Sequence, residues 1–393
     1  MPDTARQGIS GLAGLSILVI IPLYFIYQSL AQAGLIAPVL KGFFTAGMLA
    51  TSPLLVLSAF SQFKVLDFLQ RGTFLVFLVF MLMFFALMVF SEFSGVDADI
   101  AYYIQLSFMR FVYMFLLALA LVRMGSVFSR FIYYFIVGYS LFVLFSSSGG
   151  FVRPPVWHGA YIFEFDYQQV AFCYLILSMV LLPSLGAYRR YFYYLMVVPA
   201  LYLIGARSEF FAFFLLMVII ETVRNWRLMA LVSVLVVLAG VAALAMADAS
   251  ILKDFRMFSI FFDGADLSMD ARTIYAANAY DLIATNPIWG GFGSHPPGEY
   301  IHNLLAAWVD MGIVGFVVYL AMLIVPLCAL VLLGLDAYQK PDWLRAFCFV
   351  SVTLFLLVLA KTYTYGLVPM VVAVYCVYRS GATSEALKSR LDW

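Results

Sequence analysis

Apolar runs of roughly twenty residues alternate along the chain with short polar breaks, the length at which a helix crosses a bilayer. The run 73–90 (TFLVFLVFMLMFFALMVF) holds 18 residues without a charge, against a hydrocarbon core of roughly 30 Å. Hydropathy and the breaks predict about twelve spans, near 11–30, 37–60, 73–90, 103–122, 131–148, 167–186, 191–205, 208–223, 228–246, 312–334, 346–361 and 366–378. The seventh, eighth and twelfth are short. The run at 11–30 is too long and wrongly flanked for a cleaved signal peptide, so it reads as a retained span.

Composition agrees with that pattern. Of 393 residues, 65% are hydrophobic and 11% charged, and the mean hydropathy is +1.02, which excludes a soluble protein of this size. The expected fold class is an all-α polytopic integral membrane protein forming one membrane domain. It divides into nine spans over 1–246, a large extracytoplasmic loop with amphipathic helices at 247–311, and three spans with a tail over 312–393. The four cysteines, Cys173, Cys328, Cys348 and Cys376, lie in apolar runs without paired spacing and read as packing residues. The net charge of +1 gives no sign of nucleic-acid binding.

Charge then separates the breaks into two sets. Of 22 Lys and Arg residues, 14 lie in alternate breaks or in the tails: Arg6, Lys64, Arg71, Arg123, Arg130, Arg189, Arg190, Arg224, Arg227, Lys340, Arg345, Arg379, Lys388 and Arg390. The positive-inside rule makes those breaks, and both termini, cytoplasmic. They are too short for a catalytic domain and hold no Gly-rich phosphate loop, which argues against ATP-driven chemistry. The remaining eight, Lys41, Arg110, Arg153, Arg207, Lys253, Arg256, Arg272 and Lys361, belong to the other breaks or to neighbouring apolar runs. A cation in or beside lipid that topology leaves unexplained is a candidate for function, although an arginine near a span end also serves by snorkelling to lipid phosphates.

The outer breaks carry an acidic turn at 91–100, a loop at 147–166, the long segment 247–311 and all three histidines, His158, His295 and His302. The long segment starts amphipathic, with Phe255, Phe258 and Phe262 beside Lys253 and Arg256. Ser268 or Asp270 then caps a helix running to about Ala284, with Arg272 in its first turn, where a cation opposes the helix dipole. Asn286-Pro287-Ile288-Trp289-Gly290-Gly291-Phe292-Gly293 follows as a flexible turn, and Tyr300-Ile301-His302-Asn303 leads into Asp310-x-Gly312-x-x-Gly315. His295, Glu299 and His302 have the spacing of a metal-binding helix face, but Pro296 and Pro297 oppose a helix there, so no metal site is expected.

Arg272, NPIWGGFG, His302-Asn303 and Asp310-x-Gly312-x-x-Gly315, in that order, resemble the signature of the bacterial O-antigen ligase and polymerase superfamily. Ala206-Arg207-Ser208, at the outer end of a short helical pair, is similar to a Ser-Arg-Gly turn of that superfamily. The resemblance covers about 200–335. It implies a GT-C-like membrane fold in the bacterial inner membrane and glycan transfer, without cofactor or metal, from an undecaprenyl-pyrophosphate carrier to a hydroxyl outside the cytoplasmic membrane. Implied partners are the lipid-linked oligosaccharide, a glycan or lipid A–core acceptor, membrane lipids and a chain-length regulator.

These residues suit that chemistry. A lipid pyrophosphate leaves as a stable anion and needs charge neutralisation rather than a proton donor, and arginine offers a permanent charge in a planar fork. Arg207 and Arg272 are the first choices for that clamp, with Arg153, Arg110 and Lys41 as further substrate contacts; Lys41 and Arg110 are expected in the outward halves of their spans. His302 is the expected general base. Asn303, Glu209, Asp310 and Tyr300 complete the candidate site, with Glu164, Asp166 and Glu299 as alternative bases. Asp310 also reads as a simple cap of the tenth span. Eight residues, 304–311, separate Asn303 from Gly312 where ligases carry nine, and Ser208 and Glu209 follow Arg207 in place of a glycine. Both departures weaken the ligase assignment more than the superfamily one, and the eight-residue spacing favours a repeat-unit polymerase over a ligase. A transporter of lipid-linked oligosaccharide is the rival from another class, opposed by cations gathered on one side only.

Overall fold

A computed structural model of the chain describes residues 21–31, 36, 50–53, 55–56, 66–93, 95–122, 126–148, 151–152, 167–246, 267–294, 301–334 and 337–378. In chain order the helices are α1 (Phe68–Phe93), α2 (Ala98–Val122), α3 (Ser126–Ser146), α4 (Tyr167–Leu181), α5 (Ala187–Ile204), α6 (Arg207–Met246), α7 (Leu267–Thr285), α8 (Ala306–Leu333), α9 (Pro341–Leu359) and α10 (Leu367–Tyr378). A further helical segment covers 21–31. A two-residue antiparallel ladder after α3 pairs Ser147 with Val152 and Ser148 with Phe151. Among the described residues six helices are long and apolar enough to cross a bilayer: Phe68–Phe93, Ala98–Val122, Phe128–Ser146, Tyr167–Ser184, Ala306–Leu333 and Pro341–Leu359. The chain is an α-helical, multi-pass membrane protein.

The expected span at 11–30 is described only over its second half, which is helical, and most of the one at 37–60 lies outside the described residues. The seventh, eighth and ninth are helical, but neither α5 nor α6 is among the six. α5 carries Arg189 and Arg190 in its first turn and Pro199 within it. α6 is broken at Asn225 (φ −154°, ψ 70°), inside the expected break between 223 and 228. α10 is apolar and covers Leu367–Tyr378 among the described residues.

The helices gather into two compact units. The first takes Thr51–Met124 and Ser268–Trp393; the second takes Gly14–Ala50 and Gly125–Leu267.

In the first unit, buried rings hold α1, α2 and α8 together. Phe80 and Phe84 of α1 lie 5.8 and 5.5 Å from Phe111 of α2. Phe80 meets Tyr319 of α8 at 5.9 Å, and Phe84 meets Tyr363 beyond α9 at 5.9 Å. Tilted and edge-on rings of this kind pack large apolar surfaces with defined geometry. Asp67 and Gln70 form a reciprocal cap at the start of α1, with Gln70 N donating to Asp67 Oδ1 at 2.8 Å and Asp67 N to Gln70 Oε1 at 2.9 Å. Gln70 Nε2 also donates to the Cys376 carbonyl at 2.6 Å, tying the start of α1 to the end of α10.

In the second unit the same problem is solved with hydroxyls. Ser29, Ser140 and Ser178 each donate to the carbonyl four residues back: Phe25, Ile136 and Tyr174. Each also pairs with a tyrosine hydroxyl of another helix: Tyr139 at 2.8 Å, Tyr174 at 3.2 Å and Tyr193 at 2.9 Å. The phenols enter an apolar interior with their polar atoms satisfied. At the 182–190 end, Arg190 is buried and forks onto Glu221 through Nε–Oε1 and Nη2–Oε2 (3.0 Å), and Tyr194 Oη donates to Glu221 Oε1 at 3.0 Å. Arg190, expected in an open cytoplasmic break, is therefore a buried half of an ion pair, because Glu221 follows it into the interior.

Candidate functional site

The site grows from one irregularity in a membrane-spanning helix. α8 begins at Ala306 rather than at Gly312, because Asn303 closes a turn before it: Leu305 N donates to Asn303 Oδ1 at 2.8 Å and Ala306 N to the Asn303 carbonyl at 3.2 Å. The expected start survives as a kink, with Gly312 at φ 66°, ψ −173°. A kink frees backbone groups that lipid cannot satisfy, so protein must cover them. The 286–291 turn does so. Ile313 N donates to the Pro287 carbonyl at 3.0 Å, Trp308 Nε1 to the same oxygen at 2.9 Å, and Gly291 N to the Val309 carbonyl at 2.6 Å. The approach leaves no room for side chains. A Cβ on Gly290 would sit 2.6 Å from Gly312 N and 2.7 Å from the Asp310 oxygen, and one on Gly312 would overlap the Ile288 carbonyl. NPIWGGFG and the Asp310-x-Gly312 motif are thus two halves of one joint.

His302 precedes this joint, half-buried. Burial first, then the charges of Arg272 and Lys361, hold its imidazole below the ordinary value of 6.5. A neutral imidazole beside two cations can accept a proton from a hydroxyl while the cations face an anion. Arg272 is exposed on α7. It stands in the second turn of that helix, because α7 begins at Leu267, and the dipole effect expected of a first-turn cation has faded there. Asp310 is buried inside α8, a turn beyond the helix start at Ala306, so it is not the residue that begins that helix. Burial, then the Asp310 carboxylate, push the phenol of the adjacent Tyr363 well above its usual range.

Lys361 and Tyr363 belong to Lys361-Thr362-Tyr363-Thr364-Tyr365-Gly366, between α9 and α10. Sequence reasoning set Lys361 among the unexplained cations but left this turn out of the site. The available signal was its polarity, a hydroxyl-rich run with a cation between two apolar runs. Val96 of the turn between α1 and α2 lies 3.0 Å from where a Gly293 Cβ would stand. Tyr103 Oη pairs with Thr364 Oγ1 at 3.1 Å. The turn between α1 and α2, the described residues 286–294 and 301–305, and the 360–366 turn therefore occupy one end of the first unit.

Arg110 is exposed at the midpoint of α2, which begins at Ala98, ahead of the span expected from 103. Arg207 and Glu209 belong to the second unit. Gly205 (φ 82°) ends α5, and α6 starts at Arg207, as the helical pair read from the sequence requires. Arg207 is half-buried, and Glu209 is fully buried in the first turn of α6, accepting from Ser208 Oγ at 2.7 Å. A carboxylate suits that helix end. Lys41, Arg153 and Tyr300 lie outside the described residues, as do His158, His295, Glu164, Asp166 and Glu299.

No protein-family model matches the chain, and no curated protein matches it.

Proposed function

We propose that the protein is a membrane glycosyltransferase acting on an undecaprenyl-pyrophosphate-linked glycan at the outer face of the cytoplasmic membrane, as a repeat-unit polymerase. One observation carries this reading: three motifs separated along the chain meet at one end of the first unit. There the 286–291 turn seals the Gly312 kink, and Arg272 and Lys361 act on His302. In the reaction, the bond from the donor sugar's anomeric carbon to the pyrophosphate oxygen breaks. The acceptor hydroxyl oxygen forms the new glycosidic bond, its proton passes to the His302 imidazole, and polyprenyl pyrophosphate leaves as an anion beside the cations. Ligation to lipid A–core differs only in the acceptor. The spacing of eight residues between Asn303 and Gly312 favours the polymerase.

The product decides among the readings. Purified protein in nanodiscs with lipid-linked oligosaccharide is expected to yield a ladder of longer lipid-linked chains, undiminished by chelator. Glycan on lipid A–core would make it a ligase. Unchanged oligosaccharide delivered across the membrane would make it a transporter and end the transferase reading.

A further inference from the structure

The 286–291 turn presents two large apolar side chains to its surroundings. Trp289 is 84% exposed and Ile288 56% exposed. They are held there by ordered backbone. Asn286 N donates to the Leu282 carbonyl at 2.9 Å and Gly290 N to the Asn286 carbonyl at 3.0 Å, so the turn continues directly from α7. On its other side the bonds to Val309 and Ile313 fix it against α8. Water is a poor neighbour for an indole and a branched alkyl chain side by side, and a rigid display of both marks a contact surface.

The bond to Ile313 also sets the height of the turn along α8. Residues 313–333 carry no charge and number 21, and at about 1.5 Å each they rise roughly 31 Å, the thickness of a hydrocarbon core. Val314, Val317, Ile324, Val325, Val331 and Leu332 are exposed at the spacing of one helix face, so α8 has lipid beside it. The turn therefore stands where that apolar stretch begins. Two other exposed aromatic residues share the level. Phe93, 86% exposed, ends α1 just past its uncharged run 73–90, and Tyr102, 65% exposed, precedes the apolar run of α2 expected from 103. The approach of Val96 to Gly293 brings the α1–α2 turn alongside the 286–294 segment. Tryptophan and tyrosine gather where acyl chains meet headgroups, because an aromatic body with a polar edge suits both.

We propose that Ile288 and Trp289 seat the 286–291 turn in the interface of the lipid bilayer, with Ile288 against the first acyl carbons and the indole among the headgroups. The partner is the lipid surface itself. Its consequence falls on the joint: lipid holds in place the turn that satisfies the backbone at the Gly312 kink, and the end of α7 with it. The seat requires a chain that spans a membrane and is independent of glycan transfer.

Brominated lipid tests the seat. Protein is reconstituted into nanodiscs of phosphatidylcholine brominated near the top of the acyl chain or near its end. The emission of Trp289 is taken as the difference between the parent protein and Trp289→Phe. Lipid brominated near the top is expected to quench that emission more strongly than lipid brominated near the end, and aqueous iodide to quench it weakly. Emission quenched by iodide and by neither lipid would put the ring in water. Emission quenched by nothing would put it against protein, such as a second copy of the chain. Either result overturns the proposal. Trp289→Ser tests the consequence. A ring so exposed loses little contact within the chain, so hydrogen exchange at Gly291 and Ile313 that is faster by about tenfold reports the lost lipid contact. Exchange at the parent rate would remove lipid from the support of the joint. If either variant fails to fold, the parent protein decides: a nitroxide carried near the top of the acyl chain is expected to broaden the amide signals of Gly290 and Gly291, and sharp signals there sink the idea.

Discussion

In the proposed reaction His302 takes the acceptor's proton. Its environment raises the energy of imidazolium, so at neutral pH the group is a free base. The sign of the pH effect follows. The rate constant kcat/KM of the proposed reaction is expected to rise with pH through a limb lying below 6.5, the ordinary imidazole value, and to be flat above it. Lys361→Met removes one of the depressing charges and moves that limb upward. An unmoved limb in the pH–rate profile would separate Lys361 from the imidazole. His302→Gln is expected to lower kcat by about 10²–10⁴-fold, the usual range for a general base, while donor affinity persists; unaltered kcat would assign the proton elsewhere. Asn303 is a contrasting case. It reads as part of a functional pair in the sequence, but its side chain closes the turn that starts α8.

Among the elements, α8 is the informative one. A spanning helix with a positive-φ residue survives because the 286–291 turn supplies the lost hydrogen bonds. Gly312→Ala meets both the strained backbone, costing about 1–3 kcal/mol, and the Ile288 carbonyl. It is expected to lower the melting temperature and to detach the turn, read as faster hydrogen exchange at Ile313 and Gly291. Retained protection at both amides would show that the joint tolerates a side chain. In the second unit, Glu221→Gln leaves Arg190 buried without its counter-charge. A loss of about 3–5 kcal/mol is expected, measured by unfolding in detergent, because Tyr191 and Tyr194 offer that arginine no negative charge. The expected span boundaries erred where caps override hydropathy: Asp97 starts α2 by accepting from Asp99 N at 2.8 Å, ahead of the apolar run.

At the level of the whole molecule, the transferase reading needs Arg207 of the second unit as well as Arg272 of the first. Arg207→Ala and Arg272→Ala are each expected to abolish turnover in nanodiscs with the fold intact by melting temperature, and full turnover in either removes that arginine from the reaction. Much of the architecture was legible beforehand. Runs such as 73–90 announced helices long and apolar enough to span, because partition into lipid acts on each segment by itself. The motifs of 286–315 were also visible as a chain order, though not as a joint. Hydropathy had no means of showing that Asn286–Gly291 would cover Gly312, that Glu221 would draw Arg190 inside, or that Tyr103 of α2 would reach Thr364 in the 360–366 turn. Each depends on packing between segments distant along the chain, and such contacts leave no periodic mark on either partner.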